Sequence, residues 1–212
     1  MCTAIGKAAG SRAPARVETG ETVPMPQLVL VNGPPGSGKS TLARRYAAEH
    51  DRAALVEFDE LRMMLPNWQR DEATRLAARD LAGAAIVEHL TARRDVIVPQ
   101  FFGRLGFIVV LQGLAREHDA EFIEVVLEID AAVAIERFRL RRQKLREHGE
   151  HHPEGDISDA DIEAFIIDSV GRLARLPTAR PVTRIVPVAR EASADQVYEL
   201  FLSVLGGTTP QP

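Results

Sequence analysis

The stretch Gly33-Pro34-Pro35-Gly36-Ser37-Gly38-Lys39-Ser40, followed by Thr41, constrains the fold of this chain more than any other. It follows the pattern G-x-x-x-x-G-K-[ST] and comes directly after the continuous apolar run Leu28-Val29-Leu30-Val31. An unalternating run of that kind suits a parallel strand covered on both faces. Helical spacing begins at about Lys39, so the pattern sits at a strand–turn–helix junction, the context that gives it meaning. Glycines let the backbone turn until successive N–H groups converge on one anion, and the following helix adds its positive end. In such a turn Lys39 reaches the β- and γ-phosphates of a nucleotide and the Ser40 hydroxyl binds Mg²⁺. The expected contacts for ATP are therefore Gly33, Pro34, Pro35, Gly36, Ser37, Gly38, Lys39, Ser40 and Thr41, with Ser40 as the metal ligand.

Strand and helix patterns alternate along the rest of the chain. Strands are expected over Gln27–Asn32, Ala53–Phe58, Asp95–Val98, Phe122–Ile129 and Arg184–Val188. Helices are expected over Lys39–Glu49, from near Glu60, over Asp71–Ala92 with Leu76, Leu81, Ile86 and Leu90 as its apolar positions, and over Leu105–His118. Three more follow, at Ala131–Glu147, Ser158–Leu173 and Ser193–Leu205. Ser158, three residues before Asp161, has the spacing of an N-cap with its capping box. The order implies an α/β chain of P-loop NTPase type: a five-stranded parallel sheet with helices on both faces and a helical lid. Residues 25–206 form the domain, with the lid at about 137–157. Residues 1–24 read as a disordered leader, with Met25 a possible natural start, and 207–212 as a loose tail.

Beyond the carboxyl ends of parallel strands lies the usual crevice for ligands. The second strand runs into Glu57-Phe58-Asp59-Glu60-Leu61-Arg62. Asp59 is placed to face the γ-phosphate, orient an acceptor hydroxyl and take its proton. Arg62, one helical turn on, is placed to hold the acceptor or neutralise the transferring group. The bland alternative is that Asp59 caps the next helix. Glu57 has two readings, a water-mediated contact to Mg²⁺ or plain solvent exposure.

The phosphate loop, the D-x-x-R step from Asp59 to Arg62 and an arginine-bearing helix after the fourth strand resemble the polynucleotide-kinase-like and antibiotic-phosphotransferase-like P-loop kinases. Chloramphenicol phosphotransferase, tunicamycin-resistance protein and zeta toxin belong to that broad set. The resemblance spans about Gln27 to Leu205, and only its phosphate loop is highly specific. It implies a general base at Asp59, a substrate or phosphate contact at Arg62, and lid arginines that stack on adenine and clamp phosphates. Arg139 and Arg142, three apart and able to share a face, are the first choices, with Arg141 behind them. The resemblance also brings Val188-Ala189-Arg190 near the adenine.

The chain departs from many of these relatives after its third strand, where Val98-Pro99-Gln100-Phe101 stands in place of an acidic or amide residue. A similar Val-Pro step occurs in the tunicamycin-resistance group and favours a small-molecule acceptor. Gln100 and Phe101 are candidate acceptor contacts, with loop structure the alternative for Gln100. Trp68, Phe101 and Phe102 read either as an apolar wall or as core. Asp130, at the end of the fourth strand, reads as the cap of the helix from Ala131, against a motor-type metal-binding role. The loop His148-Gly149-Glu150-His151-His152 reads as a lid tip, since it lacks metal-ligand spacing.

Composition narrows the partners. A formal charge of −4 and a pI near 5.9 argue against a protein that lives on nucleic acid. The single cysteine, Cys2, builds no disulfide framework and fits a reducing, cytoplasmic setting. No apolar run approaches the ~20 residues of a membrane span. The expected activity is transfer of the ATP γ-phosphoryl group to a hydroxyl of a small molecule, such as an antibiotic, nucleoside or sugar. Polynucleotide 5′-hydroxyl phosphorylation and a nucleotide-binding switch are the competing readings.

Overall fold

The computed structural model describes residues 24–66, 72–148 and 158–206. Five strands, β1 (Gln27–Asn32), β2 (Ala53–Leu55), β3 (Asp95–Pro99), β4 (Glu121–Ile129) and β5 (Arg184–Val188), pair in the order β2-β3-β1-β4-β5. Every pairing is parallel. Around them lie α1 (Lys39–Glu49), α2 (Phe58–Met63), α3 (Glu72–Thr91), α4 (Leu105–Glu117), α5 (Ala131–Glu147), α6 (Asp159–Leu173), α7 (Leu176–Ala179) and α8 (Ala194–Leu205). The chain leaves β1 for the β2 edge, returns to β3, then crosses to β4. That reversal at the carboxyl ends of β1 and β3 is where a doubly wound sheet opens a crevice.

Alternation along the central strands divides the core into two layers. Val29, Val31, Ile97, Val125 and Leu127 pack beneath α1 and α8, through Leu42, Tyr46, Tyr198 and Phe201. Leu28, Leu30, Val96, Val98 and Val126 face the other way, onto Ile86 and Leu90 of α3 and Ile108 and Leu111 of α4. All five residues from Leu28 to Asn32 are fully buried, as expected of a central parallel strand. Among the described residues, no helix is long and apolar enough to cross a membrane.

Several elements differ from expectation. β2 ends at Leu55 rather than Phe58, because Phe58 turns inward against Phe102 and Phe107, with ring centroids 5.7 and 5.5 Å away. Helix α2 therefore begins at Phe58, two residues before the expected start near Glu60. In α3 the buried face is Ala78, Ala82, Ile86 and Leu90, a four-residue stripe along one side. Leu76 and Leu81 fall off that stripe and are exposed. The short α7 was not legible at all, since four residues carry too little periodicity. The caps at Asp130 and Ser158 are as expected: Asp130 accepts from the amides of Ala132 (2.8 Å) and Val133 (3.3 Å), and Ser158 from that of Asp161 (3.1 Å).

Candidate functional site

The turn after β1 has the conformation that its glycines permit. Gly36 and Gly38 adopt φ of +84° and +90°, in the region that side chains with a Cβ disfavour. Gly36 also lies so close to the Ala134 carbonyl of α5 that a Cβ there would collide with it. At Gly38 the space beside the backbone is open for at least 4 Å. Lys39 folds back over the turn, donating from Nζ to the Pro34 carbonyl at 3.4 Å. Ser37 is buried, and its Oγ has no hydrogen-bond partner among the described residues. Left-handed glycines, an open approach, a lysine over the mouth and an orphaned buried hydroxyl together fit a bound polyphosphate.

Beside this turn opens a cavity of about 230 Å³, lined among others by Ser37, Gly38, Thr41, Arg137, Val188 and Tyr198. Its far wall belongs to the β5–α8 connection. Val188 and Arg137 both line the cavity, and Arg137 was not among the preferred arginines. Arg137 donates to the carbonyls of Ala189 (3.4 Å) and Arg190 (3.5 Å). Arg139 and Arg142 turn instead to α6, pairing with Glu163 and, at 2.7 Å, with Asp159. The reason is helical geometry: at about 100° per residue, positions 139 and 142 share one side of α5 and position 137 lies on the other. Arg141 lies over the Phe138 ring.

On the other flank, Asp59 is the second residue of α2 rather than a strand-end residue. It does not cap that helix, whose first turn shows no side-chain cap. Arg62 lies one turn on, its Nη2 3.6 Å from Asp59 Oδ1, and its side chain is 16% exposed against 41% for Asp59. The pair is tied to the phosphate turn through α1. Arg44 donates to Glu57 (2.8 Å) and Glu60 (2.5 Å), which bracket Asp59. Glu57 is not solvent-exposed: only 9% of its side chain is accessible. Burial pushes its carboxyl above the usual range, while hydrogen bonds from Arg44 and the Ser40 hydroxyl oppose that rise. Ser40 and Glu57 thus stand side by side, and their hydroxyl and carboxylate oxygens are of the kind that would fit a divalent ion. The described residues contain no cluster of three or more metal-ligating side chains.

The segment after β3 runs between β1 and α6. Gln100 is half-buried and its amide donates to the Val31 carbonyl at 3.1 Å. Phe101 packs edge-on against Phe165 of α6, with centroids 5.5 Å apart. Phe102 is core, 6% exposed. Trp68 lies outside the described residues, as do Gly149, Glu150, His151 and His152; His148 ends α5 and contacts the Lys144 carbonyl at 2.7 Å. Asn32, which the sequence did not single out, is fully buried at the base of the site.

A glycine-rich phosphate turn at the switch point of a five-stranded parallel sheet, with the helix after it tied through Arg44 to the segment that carries Asp59 and Arg62, defines a P-loop kinase-like protein. Residues 28–160 match the family model described as AAA domain, AAA_33, and the chain belongs to that family. Comparison with curated proteins finds no match. Among solved structures, the chain is similar to a proposed kinase from Chloroflexus aurantiacus j-10-fl, at 20% identity and TM-score 0.62, over 85% of this chain and 98% of that one. A gluconokinase from Sinorhizobium meliloti 1021 aligns at 20% identity and TM-score 0.54, over 87% and 94%. A chain of the Pnkp1/Rnl/Hen1 RNA repair complex aligns at 20% identity and TM-score 0.60, over 80% of this chain and 50% of that one. The chain thus spans half of that relative, and 39% of its counterpart in another structure of the complex. At these identities the likeness is one of fold.

Proposed function

We propose that this protein transfers the γ-phosphoryl group of ATP to a hydroxyl of a small molecule. The observation that carries the reading is the pairing of a phosphate turn with Asp59 and Arg62, held to it through Ser40, Glu57 and Arg44. The turn amides and Lys39 bind the β- and γ-phosphates, and the cavity beside Arg137 and Tyr198 receives the base. Mg²⁺, held at Ser40 with Glu57 beside it, would supply charge neutralisation on the phosphate oxygens. Asp59 accepts the proton of the acceptor hydroxyl as its oxygen bonds to the γ-phosphorus and the bridging oxygen leaves with ADP. Arg62 and Lys39 balance the charge that spreads over the transferring oxygens. Gln100 and Phe101 stand on the acceptor side.

A second reading has a specific observation behind it. Likeness of fold to a chain of an RNA repair complex keeps a polynucleotide 5′-hydroxyl in view as acceptor, although the net charge of −4 opposes it. The deciding experiment incubates the protein with labelled ATP–Mg²⁺ and separate panels of nucleosides, sugars including D-gluconate, antibiotics and 5′-hydroxyl oligonucleotides. Product masses are then measured. A phosphorylated small molecule is expected; a product confined to the oligonucleotide panel selects the second reading, and ATP consumption indifferent to every acceptor removes both.

A further inference from the structure

Asn32 is the last residue of β1, immediately before Gly33, and is fully inaccessible to solvent. Its side-chain amide makes two hydrogen bonds to a single residue 70 positions away. Nδ2 donates to the Phe102 carbonyl at 3.0 Å, and Oδ1 accepts from the Phe102 amide at 3.0 Å. One residue earlier the connection is still the ordinary ladder: Val31 is in register with Pro99, and the Gln100 amide donates to the Val31 carbonyl. A regular sheet would continue by pairing Phe102 with the main chain of the next residue on β1. That residue is Gly33, whose backbone leaves the sheet to form the phosphate turn. Without a substitute, the buried N–H and C=O of Phe102 would both be orphaned.

We infer that Asn32 is a positioning residue: its carboxamide replaces the missing peptide group of the ladder and fixes the acceptor-side segment 100–103 to the base of the phosphate turn. The chemistry selects asparagine, since a carboxamide offers one donor and one acceptor in peptide-like geometry. Leucine has neither, and an aspartate carboxylate accepts but cannot donate. The segment held in this way carries Gln100 and Phe101. Its other side is closed by α6, where Phe101 meets Phe165 and a Cβ at Gly103 would lie 2.8 Å from both Arg172 Cδ and Phe101 Cζ. Asn32 thus sets the distance between the acceptor wall and the phosphates while touching neither ligand. The word acceptor rests on the phosphoryl-transfer reading; the anchoring of 100–103 does not.

The test compares Asn32→Leu and Asn32→Asp with the wild type, using hydrogen exchange of peptides over 100–104 and 33–41 and the affinity of a fluorescent ATP analogue with Mg²⁺. Loss of the Asn32 bonds should speed exchange over 100–104 by about tenfold in Asn32→Leu and by less in Asn32→Asp, which keeps one bond. ATP-analogue affinity should stay within about threefold of wild type, and the analogue should still protect 33–41. Turnover is followed with D-gluconate or a 5′-hydroxyl oligonucleotide, whichever the wild type phosphorylates faster. There the acceptor KM should rise about tenfold in Asn32→Leu with kcat changed less, and Asn32→Asp should recover part of it. Unchanged exchange over 100–104 would overturn the inference. So would a tenfold loss of ATP-analogue affinity, which would make Asn32 a support of the phosphate turn alone. If the wild type phosphorylates neither probe, the phosphoryl-transfer reading is weakened and the exchange result still decides the role of Asn32.

Discussion

On the proposed reading, the nucleotide flank and the acceptor flank of the crevice are built by different physical means. The nucleotide flank is one continuous strand–turn–helix whose geometry follows from local glycines, packed against a hydrophobic layer that includes Tyr46, Tyr198 and Phe201. Its cavity is preformed, with Arg137 already bonded to the loop across it. The acceptor flank is assembled from three distant segments, α2, residues 100–103 and α6, joined by polar tethers. Those tethers are Arg44 to Glu57 and Glu60, Asn32 to Phe102, and the α5–α6 ion pairs at Arg139 and Arg142. A chain of this kind can keep one flank constant and alter the other by changing tether lengths and loop residues. On this view ATP is bound by backbone, and the acceptor is chosen by side chains.

The difference can be broken first at Lys39. Lys39→Ala should reduce turnover by roughly a thousandfold and weaken ATP affinity, because it removes the charge aimed at the transferring phosphates. Unchanged turnover would mean that the turn is not the phosphate site. Asp59→Asn should do something different in kind: transfer should fall by roughly a hundredfold or more while ATP affinity holds. Equal losses of ATP affinity and transfer would erase the division between flanks. A smaller effect separates the lid arginines. Arg137→Ala should weaken ATP binding about five- to tenfold by removing a cation beside the base, whereas Arg139→Ala, which cuts an exposed ion pair, should leave it nearly unchanged. Calorimetric titration of ATP into each variant distinguishes them, and the reverse order would restore Arg139 as the nucleotide contact.

The same division explains what could be read without coordinates. The strands β1 and β5 and helices α1 and α5 have the boundaries that their apolar periods and caps imply, because each is specified within its own window. The nucleotide turn is equally local. Asp59 and Arg62 were legible as a pair, but their place on α2 was not, since it depends on Phe58 finding Phe102 and Phe107 across the core. Asn32 gave no signal because a buried asparagine in an apolar strand reads like any strand end until its partner 70 residues away is known. That Arg137 lines the cavity while Arg139 and Arg142 face α6 was not legible for a related reason. Spacing along a helix says which residues share a face, and only the packed neighbours say which face meets the ligand.

The finest test of the proposed, preformed nucleotide wall is spectroscopic. Both tyrosines of the chain, Tyr46 and Tyr198, belong to the hydrophobic layer behind that wall. Tyr198 lines the cavity, with the Arg45 guanidinium 4.0 Å from its ring centroid. Burial, then the neighbouring Glu49 carboxylate, pushes the Tyr198 phenol from its ordinary 10.0 up to about 12. Burial raises Tyr46 as well. A raised phenol pKa means that the folded state holds the proton more tightly than the unfolded chain. The associated stability is complete below pH 10 and is lost as pH climbs towards about 12. Tyrosinate absorbance in the native protein should therefore stay flat through pH 10 and rise only nearer pH 12, together with loss of helical dichroism. Tyr198→Phe should remove part of that late absorbance and shift alkaline unfolding upward. A wild-type titration already half complete at pH 10, with the fold intact, would mean that water reaches both rings and that the nucleotide wall forms only when its ligand arrives.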